Sequence, residues 1–293
     1  MGIKTNPLRT PLATGFALVA FAANSVFCRL ALGESSIDAA SFSTVRLVSG
    51  AVTLVLITQV TGSVAEHRGN WTSASMLFLY AVAFSFAYIS LSTGTGALIL
   101  FGAVQATMIL AALYSGERPH MLEWVGLFFA LAGLVYLVFP GLSAPSPTGS
   151  ILMAVAGISW GVYSLRGRGT AGPIAATTGN FVRAVPFVLV VSLVMLQDVH
   201  ISAKGVLLAV LSGALASGVG YVVWYAALQG LTATRAATVQ LSVPVLAAAG
   251  GVIFLSEHIS IRLLLSAIMI LGGVGLSLLG RARLVSVDET ESR

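Results

Sequence analysis

Runs of about 20 apolar residues recur along the whole chain, and a helix needs a run of that length to cross about 30 Å of hydrocarbon. Lipid offers backbone N–H and C=O groups no partner, so only self-satisfied helices or closed barrels can span it. Barrel strands need only about 9–11 residues, far fewer than these runs contain. On this criterion the sequence predicts ten spans, over residues 11–32, 39–60, 73–91, 95–114, 122–139, 150–165, 174–196, 205–228, 233–255 and 263–279. The connections are short, and 92–94 is barely a turn. The polar stretch 141–149 divides the chain into units 11–140 and 149–280, followed by a polar tail, 281–293. Lys4 and Arg9 precede the first span as they would in a signal peptide. The length of that span and its lack of a clear A-x-A site favour a retained helix.

Composition leads the same way. Hydrophobic residues make up 57% of the chain and charged ones 9%, against about 25% charged in an average soluble domain. Lipid is therefore the expected solvent for most of the surface, and the bilayer its first partner. The formal charge of +5 does not imply nucleic acid, because basic residues stand singly between apolar runs with no basic-aromatic face. They orient the spans instead. With the N-terminus cytoplasmic, Lys4, Arg9, Arg68, Arg118, Arg166, Arg168, Arg235, Arg281, Arg283 and Arg293 fall inside, and only Arg29, Lys204 and Arg262 outside. That asymmetry predicts a multi-pass protein of a bacterial inner membrane with both termini cytoplasmic. Cys28 is the only cysteine and reads as a packing residue. No Cys/His cluster has metal-ligand spacing, so neither metal nor cofactor is expected.

The two units resemble each other. Stretches 98–116 and 238–256 each end in a glutamate, Glu117 and Glu257, 140 positions apart. The same offset aligns 130–134 with 270–274. An offset of 137 aligns Val45 and Arg46 with Val182 and Arg183, and Tyr88 and Leu91 with Tyr225 and Leu228. Val26 and Phe27 match Val162 and Tyr163 more weakly. Each unit then holds five spans, and an odd number makes the second enter from the opposite side. The expected fold is an all-α membrane protein of ten transmembrane helices in two inverted five-helix repeats.

Trp224, Tyr225 and Leu228, followed by Ala233 to Ala236, Pro244 with Val245, and Leu255 to Glu257, resemble the second repeat of the EamA family of the drug/metabolite transporter superfamily. Gly102 to Gln105, together with Gly116 to Pro119, resembles the matching end of the first repeat. The first repeat has Val104 where the second has Pro244. The resemblance covers nearly the whole chain and implies a 5+5 helix bundle exporting small metabolites. Within the superfamily the chain is nearest the YddG-type amino-acid exporters, which implies an amino acid, aromatic or otherwise apolar, as the small-molecule substrate.

The residues themselves suggest a cavity. Charged side chains within spans cost about 2.5–3.5 kcal/mol on insertion scales and are functional candidates by default. Arg46 lies about 10 Å into the second span at helical rise, and Arg183 lies comparably deep in the seventh. Each either ties helix carbonyls together or offers a positive potential to a substrate carboxylate. Tyr80, Phe84 and Tyr88 recur every fourth residue and share one helical face, as do Tyr221, Trp224 and Tyr225. Asn24, Gln105, Trp160, Tyr163 and Gln240 lie within other spans. Together these could stack an apolar solute and hydrogen-bond its polar end, although helix packing and interfacial aromatics use the same residue types. Pro186 and Pro244 are hinge candidates.

No Asp, Glu or His falls near a predicted midplane, where proton relays are commonly placed. That pattern favours facilitated alternating access over proton-coupled antiport. An intramembrane enzyme would need a His or a carboxylate cluster at membrane depth, so no enzymatic activity and no catalytic residue are expected. An exporter of drugs or nucleotide-type metabolites is the competing substrate reading. Oligomeric state is not readable from the sequence, because small-residue faces serve internal and external contacts alike.

Overall fold

The computed structural model describes residues 9–62, 69–114, 121–139, 144–167, 172–228, 239–240, 242–273 and 275–276. Glu117, the 233–236 motif and the 281–293 tail lie outside the described residues. The described chain is helical throughout: α1 (Arg9–Gly33), α2 (Ala39–Thr61), α3 (Trp71–Ala87), α4 (Thr93–Tyr114), α5 (Met121–Val138), α6 (Pro147–Gly167) and α7 (Pro173–Val194) come first. The element α8 runs from Ala203–Val210 through a π-helical stretch, Leu211–Val219, to Gly220–Leu228. Then come α9 (Ser242–Leu255) and α10 (Ile261–Gly273). Six of these, α1, α2, α4, α6, α7 and α8, are long and apolar enough to cross a membrane, and the other four are shorter apolar helices. Among the described residues there is no β-strand, only an isolated bridge between Ile37 and Ile201.

The surface reverses the soluble pattern. Val52, Leu56, Phe128, Val190, Leu193 and Ile253 are all exposed, as lipid contact requires. Hydroxyls within the helices are satisfied locally: Ser43 donates to the Ala39 carbonyl, Thr58 to Leu54, Ser85 to Ala81 and Thr107 to Ala103. Polar side chains of this kind carry no site, because each bonds its own helix four residues back.

Several boundaries differ from the sequence expectation. The α3 helix stops at Ala87 rather than 91, because the Tyr88 N–H closes on the Phe84 and Ser85 carbonyls and the chain turns. This turn lets α4 begin at Thr93. The α6 helix begins at Pro147, not 150, with proline at a first-turn position where its missing N–H costs nothing. Pro186 lies inside α7, and Pro244 lies near the start of the described α9 segment. The π-helical stretch of α8 has no precursor in the sequence pattern.

Packing is set by close backbone contacts. α1 packs on α8 and α9, α6 packs on α3 and α4, and α2 packs on α7 and on the π stretch of α8. The α2–α8 crossing is the tightest. A Cβ added to Gly213 would collide with the Arg46 carbonyl and the Ser49 hydroxyl, and one added to Gly50 would meet Phe181 at 2.6 Å and the Gly213 carbonyl at 3.1 Å. Gly213→Ala should therefore lower stability by about 1–3 kcal/mol. Gly272→Ala, whose Cβ meets nothing within 4 Å, should not lower it. Thermal unfolding of the two variants in detergent checks this.

At one end of the bundle the α1–α2 turn is pinned to the α7–α8 connection. Asp38 Oδ1 accepts from the Ser41 N–H at 2.8 Å and caps α2. Its Oδ2 accepts from the His200 N–H at 3.0 Å, and its own N–H donates to the His200 carbonyl at 2.9 Å. Partial burial opposes ionisation, yet the hydrogen bonds from Ser41 and His200 outweigh it and hold the carboxyl below its ordinary range. A lowered folded value means this stabilisation is present at neutral pH and disappears as pH falls through that value. Asp38→Ala should cost about 1 kcal/mol at pH 7. The gap between variant and parent melting temperatures should close below about pH 4.

Candidate functional site

The centre of the bundle is aromatic. Trp160 on α6 stands 5.0 Å from Tyr80 of α3, 4.9 Å from Tyr221 of α8 and 5.6 Å from Tyr163 of its own helix, between ring centroids. Phe21 on α1 meets Trp160, Tyr221 and Trp224 edge-on at 6.1, 5.9 and 5.6 Å. Edge-to-face and tilted pairs at these separations are favourable beyond the area they bury. Phe21, Tyr80, Phe84, Trp160 and Tyr221, with Asn24 and Ser25, line a central void of about 20 Å³, room for a single water. The site is closed.

Beside the void runs a polar chain. Asn24 Oδ1 accepts from Ser212 Oγ at 2.5 Å, and Asn24 Nδ2 donates to Tyr80 Oη at 3.3 Å. Arg46 Nη2 donates to the same Tyr80 oxygen at 3.1 Å, and Arg46 Nε donates to Ser217 Oγ at 3.4 Å. The guanidinium lies 5.1 Å over the Tyr80 ring and 4.9 Å over Phe84. Its Nη1 is buried with no hydrogen-bond partner. Arg46 is 1% exposed and is the one buried charged side chain among those described.

Arg183 differs from its expected counterpart. It donates to the Gly179 carbonyl of its own helix at 2.9 Å and lies 5.8 Å over Trp71, away from the central group. Of the two alternatives for the intramembrane arginines, Arg183 takes the tie to helix carbonyls. Gln105 and Gln240 are buried, and neither lines the central void. Tyr88 is fully buried nearer the Asp38 end, where its hydroxyl donates to the Thr93 carbonyl at 3.3 Å.

Tyr163 and Tyr225 belong to a second feature, a cleft of about 210 Å³ at the opposite end, lined also by Asn70, Ser73, Arg166, Thr177 and Asn180. Arg166 donates to Ser73 Oγ at 3.2 Å and Asn70 Oδ1 at 3.3 Å, and Asn180 Nδ2 donates to Tyr163 Oη at 3.5 Å. Tyr163 stacks on Trp160, so one aromatic layer separates this polar cleft from the centre.

At the Asp38 end Arg29 and Glu257 tie helix termini together, beside a further cleft of about 390 Å³ lined by Leu32, Asp38, Phe86, Ile89, Met195 and His200. Both oxygens of Glu257 accept from the Thr93 N–H at the start of α4, at 3.0 and 2.8 Å, and Oε1 accepts from Arg29 Nε at 3.4 Å. Arg29 Nη1 donates to the carbonyls of Tyr88 and Ile89 at 3.0 and 3.1 Å. Ser256, with φ of 53°, takes the left-handed conformation that ends α9 and turns the chain toward Glu257. Three residues of the central group, Phe21, Ser212 and Ser217, escaped the sequence reading. Phe21 precedes Asn24 by three, a helical-face signal that was legible. The serines are five apart, about 140° around an α-helix, and only the π stretch brings both toward the centre.

A bundle of apolar spans enclosing a polar and aromatic centre, with a cleft toward each end, has the build of a membrane transporter. The comparisons agree: residues 147–279 match the EamA-like transporter family. The uncharacterized protein PA1977 of Pseudomonas aeruginosa is 49% identical over 94% of this chain and 97% of its own length. The uncharacterized inner membrane transporter YedA of Escherichia coli is 23% identical over 71% of this chain and 68% of its own. The threonine/homoserine exporter RhtA of Salmonella typhimurium is 34% identical over 58% of this chain and 59% of its own. A solved crystal structure at 19% identity superposes with a TM-score of 0.66 over 92% of this chain and 97% of that one, a likeness of fold alone. The chain belongs to the EamA-like transporter family and is a multi-pass inner-membrane protein.

The clasp makes a measurable claim about access. Cys28, next to Arg29, is fully buried. A hydrogen bond to a charged group is worth about 1.5–3 kcal/mol. Glu257→Ala should therefore raise the rate of Cys28 labelling by a membrane-impermeant maleimide about tenfold or more. Labelling no faster than in the parent would show that this contact does not hold the end closed.

Proposed function

We propose that this protein exports small carboxylate-bearing metabolites with apolar bodies by alternating access, and that amino acids with apolar or aromatic side chains are the first class to test. The carrying observation is the central group: a buried guanidinium against an aromatic cluster, separated by one aromatic layer from a polar cleft. The name of the RhtA relative supports an amino-acid solute. The reading involves no catalytic step and no cofactor.

Three features support a ten-span, five-plus-five inverted arrangement. The pairings of α1 with α8 and α9, and of α6 with α3 and α4, exchange when each helix number is advanced by five. The α2–α7 pair maps onto itself. The α5–α10 contact, where Gly133 approaches Ile270 and Gly273 approaches Ala130, maps onto itself too. Under the positive-inside rule the polar Tyr163–Arg166 cleft faces the cytoplasm and the Glu257 clasp faces outward. An inward cleft of this kind suits an exporter loading from the cytoplasm. Among the described side chains no Asp, Glu or His is buried, which supports facilitation over proton coupling.

Counterflow in proteoliposomes tests the reading. Preloading with an apolar amino acid should accelerate labelled uptake several-fold, Trp160→Ala should abolish most of that gain, and Arg183→Gln should stay within about twofold of the parent because Arg183 is outside the central group. If no preloaded amino acid, organic acid, nucleoside or cationic drug accelerates uptake, the carrier reading is wrong.

A further inference from the structure

Arg46 is buried with its charge unanswered. Its described partners are two neutral hydroxyls, Tyr80 and Ser217, and two ring faces, Tyr80 and Phe84. Nη1 has none. Arginine does not surrender its proton inside a protein, so deprotonation cannot relieve the cost as it can for lysine. Hydroxyls and ring faces offset part of that cost, yet a buried charge without a counter-charge remains strongly unfavourable. Among the described residues no buried carboxylate exists to supply one.

Tyr80 Oη marks where an anion belongs. It accepts from both Arg46 Nη2 and Asn24 Nδ2, two donors converging on one oxygen as they would on a carboxylate oxygen. A carboxylate displacing this hydroxyl would inherit both bonds, and its second oxygen would give Nη1 an acceptor. An ammonium on the same solute would fare poorly. Asn24 Oδ1 is already taken by Ser212, and the remaining nearby acceptors are neutral.

We propose that the preferred solute is a monoanion, a single carboxylate on an apolar body without an ammonium, held against Arg46, and that its uncoupled export is electrogenic. This rests on the carrier reading above and narrows it. The empty site carries a positive charge, the site loaded with a monoanion is neutral, and one complete cycle moves one negative charge. An inside-negative membrane potential then drives the solute outward, which gives export a direction without a proton relay. A zwitterion gains nothing from that potential, because it crosses with no net charge.

The full-length protein in proteoliposomes, with the potential set by a potassium gradient and valinomycin, discriminates these cases. The probes are labelled 3-phenyllactate and phenylalanine, which differ by a hydroxyl for the ammonium, and phenethylamine as the cation. An inside-negative potential should speed net efflux of phenyllactate about tenfold or more, in whichever orientation the carrier inserts, and leave phenylalanine flux unchanged. In detergent, phenyllactate should quench the tryptophan fluorescence at concentrations at least about tenfold lower than phenylalanine does. Arg46→Gln should erase that preference, and Arg46→Lys should keep the voltage dependence with weaker binding. Melting temperatures verify folding, and the voltage arms on the parent protein stand even if the Gln variant misfolds. Phenyllactate flux indifferent to potential, or phenylalanine or phenethylamine bound as tightly as phenyllactate, overturns the proposal. Phenylalanine counterflow without phenyllactate transport would leave the carrier reading intact and sink this one. Counterflow by none of the solutes would sink both.

Discussion

The contact between the backbones of α2 and α8 is the constraint from which the central site follows. Gly50 and Gly213 let the two helices approach until no side chain fits between them. At that distance Ser217 reaches Arg46 Nε, and the π stretch on either side of Gly213 turns Ser212 toward Asn24. A wider crossing would leave the guanidinium with only Tyr80. A regular α-helix through 211–219 would send one of the two serines away from the centre. The π turn costs some hydrogen-bond geometry in its own helix, and here it orders the partners of a buried charge.

Much of this was legible from residue pattern alone. Apolar run length located the six helices long and apolar enough to cross a membrane, because the bilayer's demand for self-satisfied backbone leaves few alternatives. The four-residue spacing of Tyr80 and Phe84 puts both on the face that lines the central void, while Tyr163 lines the polar cleft. Other signals misled for physical reasons. Arg46 and Arg183 occupy matching positions in the two units, yet Arg183 bonds its own helix and lies over Trp71, a partner outside its own helix that local pattern cannot reveal. Tyr88 continues the Tyr80 and Phe84 row, its ring 4.8 Å from Phe84, but α3 ends before it and it does not line the central void. Ser212 and Ser217 were invisible because pattern reading assumes 3.6 residues per turn.

The two ends of the bundle differ in how they are held. At the Glu257 end, a carboxylate meets the Thr93 N–H at the start of α4 and an arginine that also gathers the carbonyls of Tyr88 and Ile89. Several unsatisfied helix-end groups are thus resolved by two side chains, and separating the helices would expose all of them together. At the other end, Arg166 donates to the Ser73 hydroxyl and the Asn70 side-chain oxygen, joining α6 to the start of α3 beside a cleft of about 210 Å³.

Symmetry and recognition come apart in this chain. The proposed inverted repeat supplies matching helix pairs, which is what an exchange between inward and outward openings requires of a backbone. Recognition needs no symmetry, because a solute has only one head and one tail. The central group draws its charge from α2 of the first unit, and its hydroxyls and rings from both units, Tyr80 on α3 and Ser217 on α8 among them. An anion held between Arg46 and Ser217 would touch both units at once, so any movement of one unit against the other would reshape the site. Arg183, freed of that role, anchors its helix instead. A duplicated scaffold can retain the paired helices needed for motion while one copy of a charge is reassigned, provided the remaining charge sits where the two units meet.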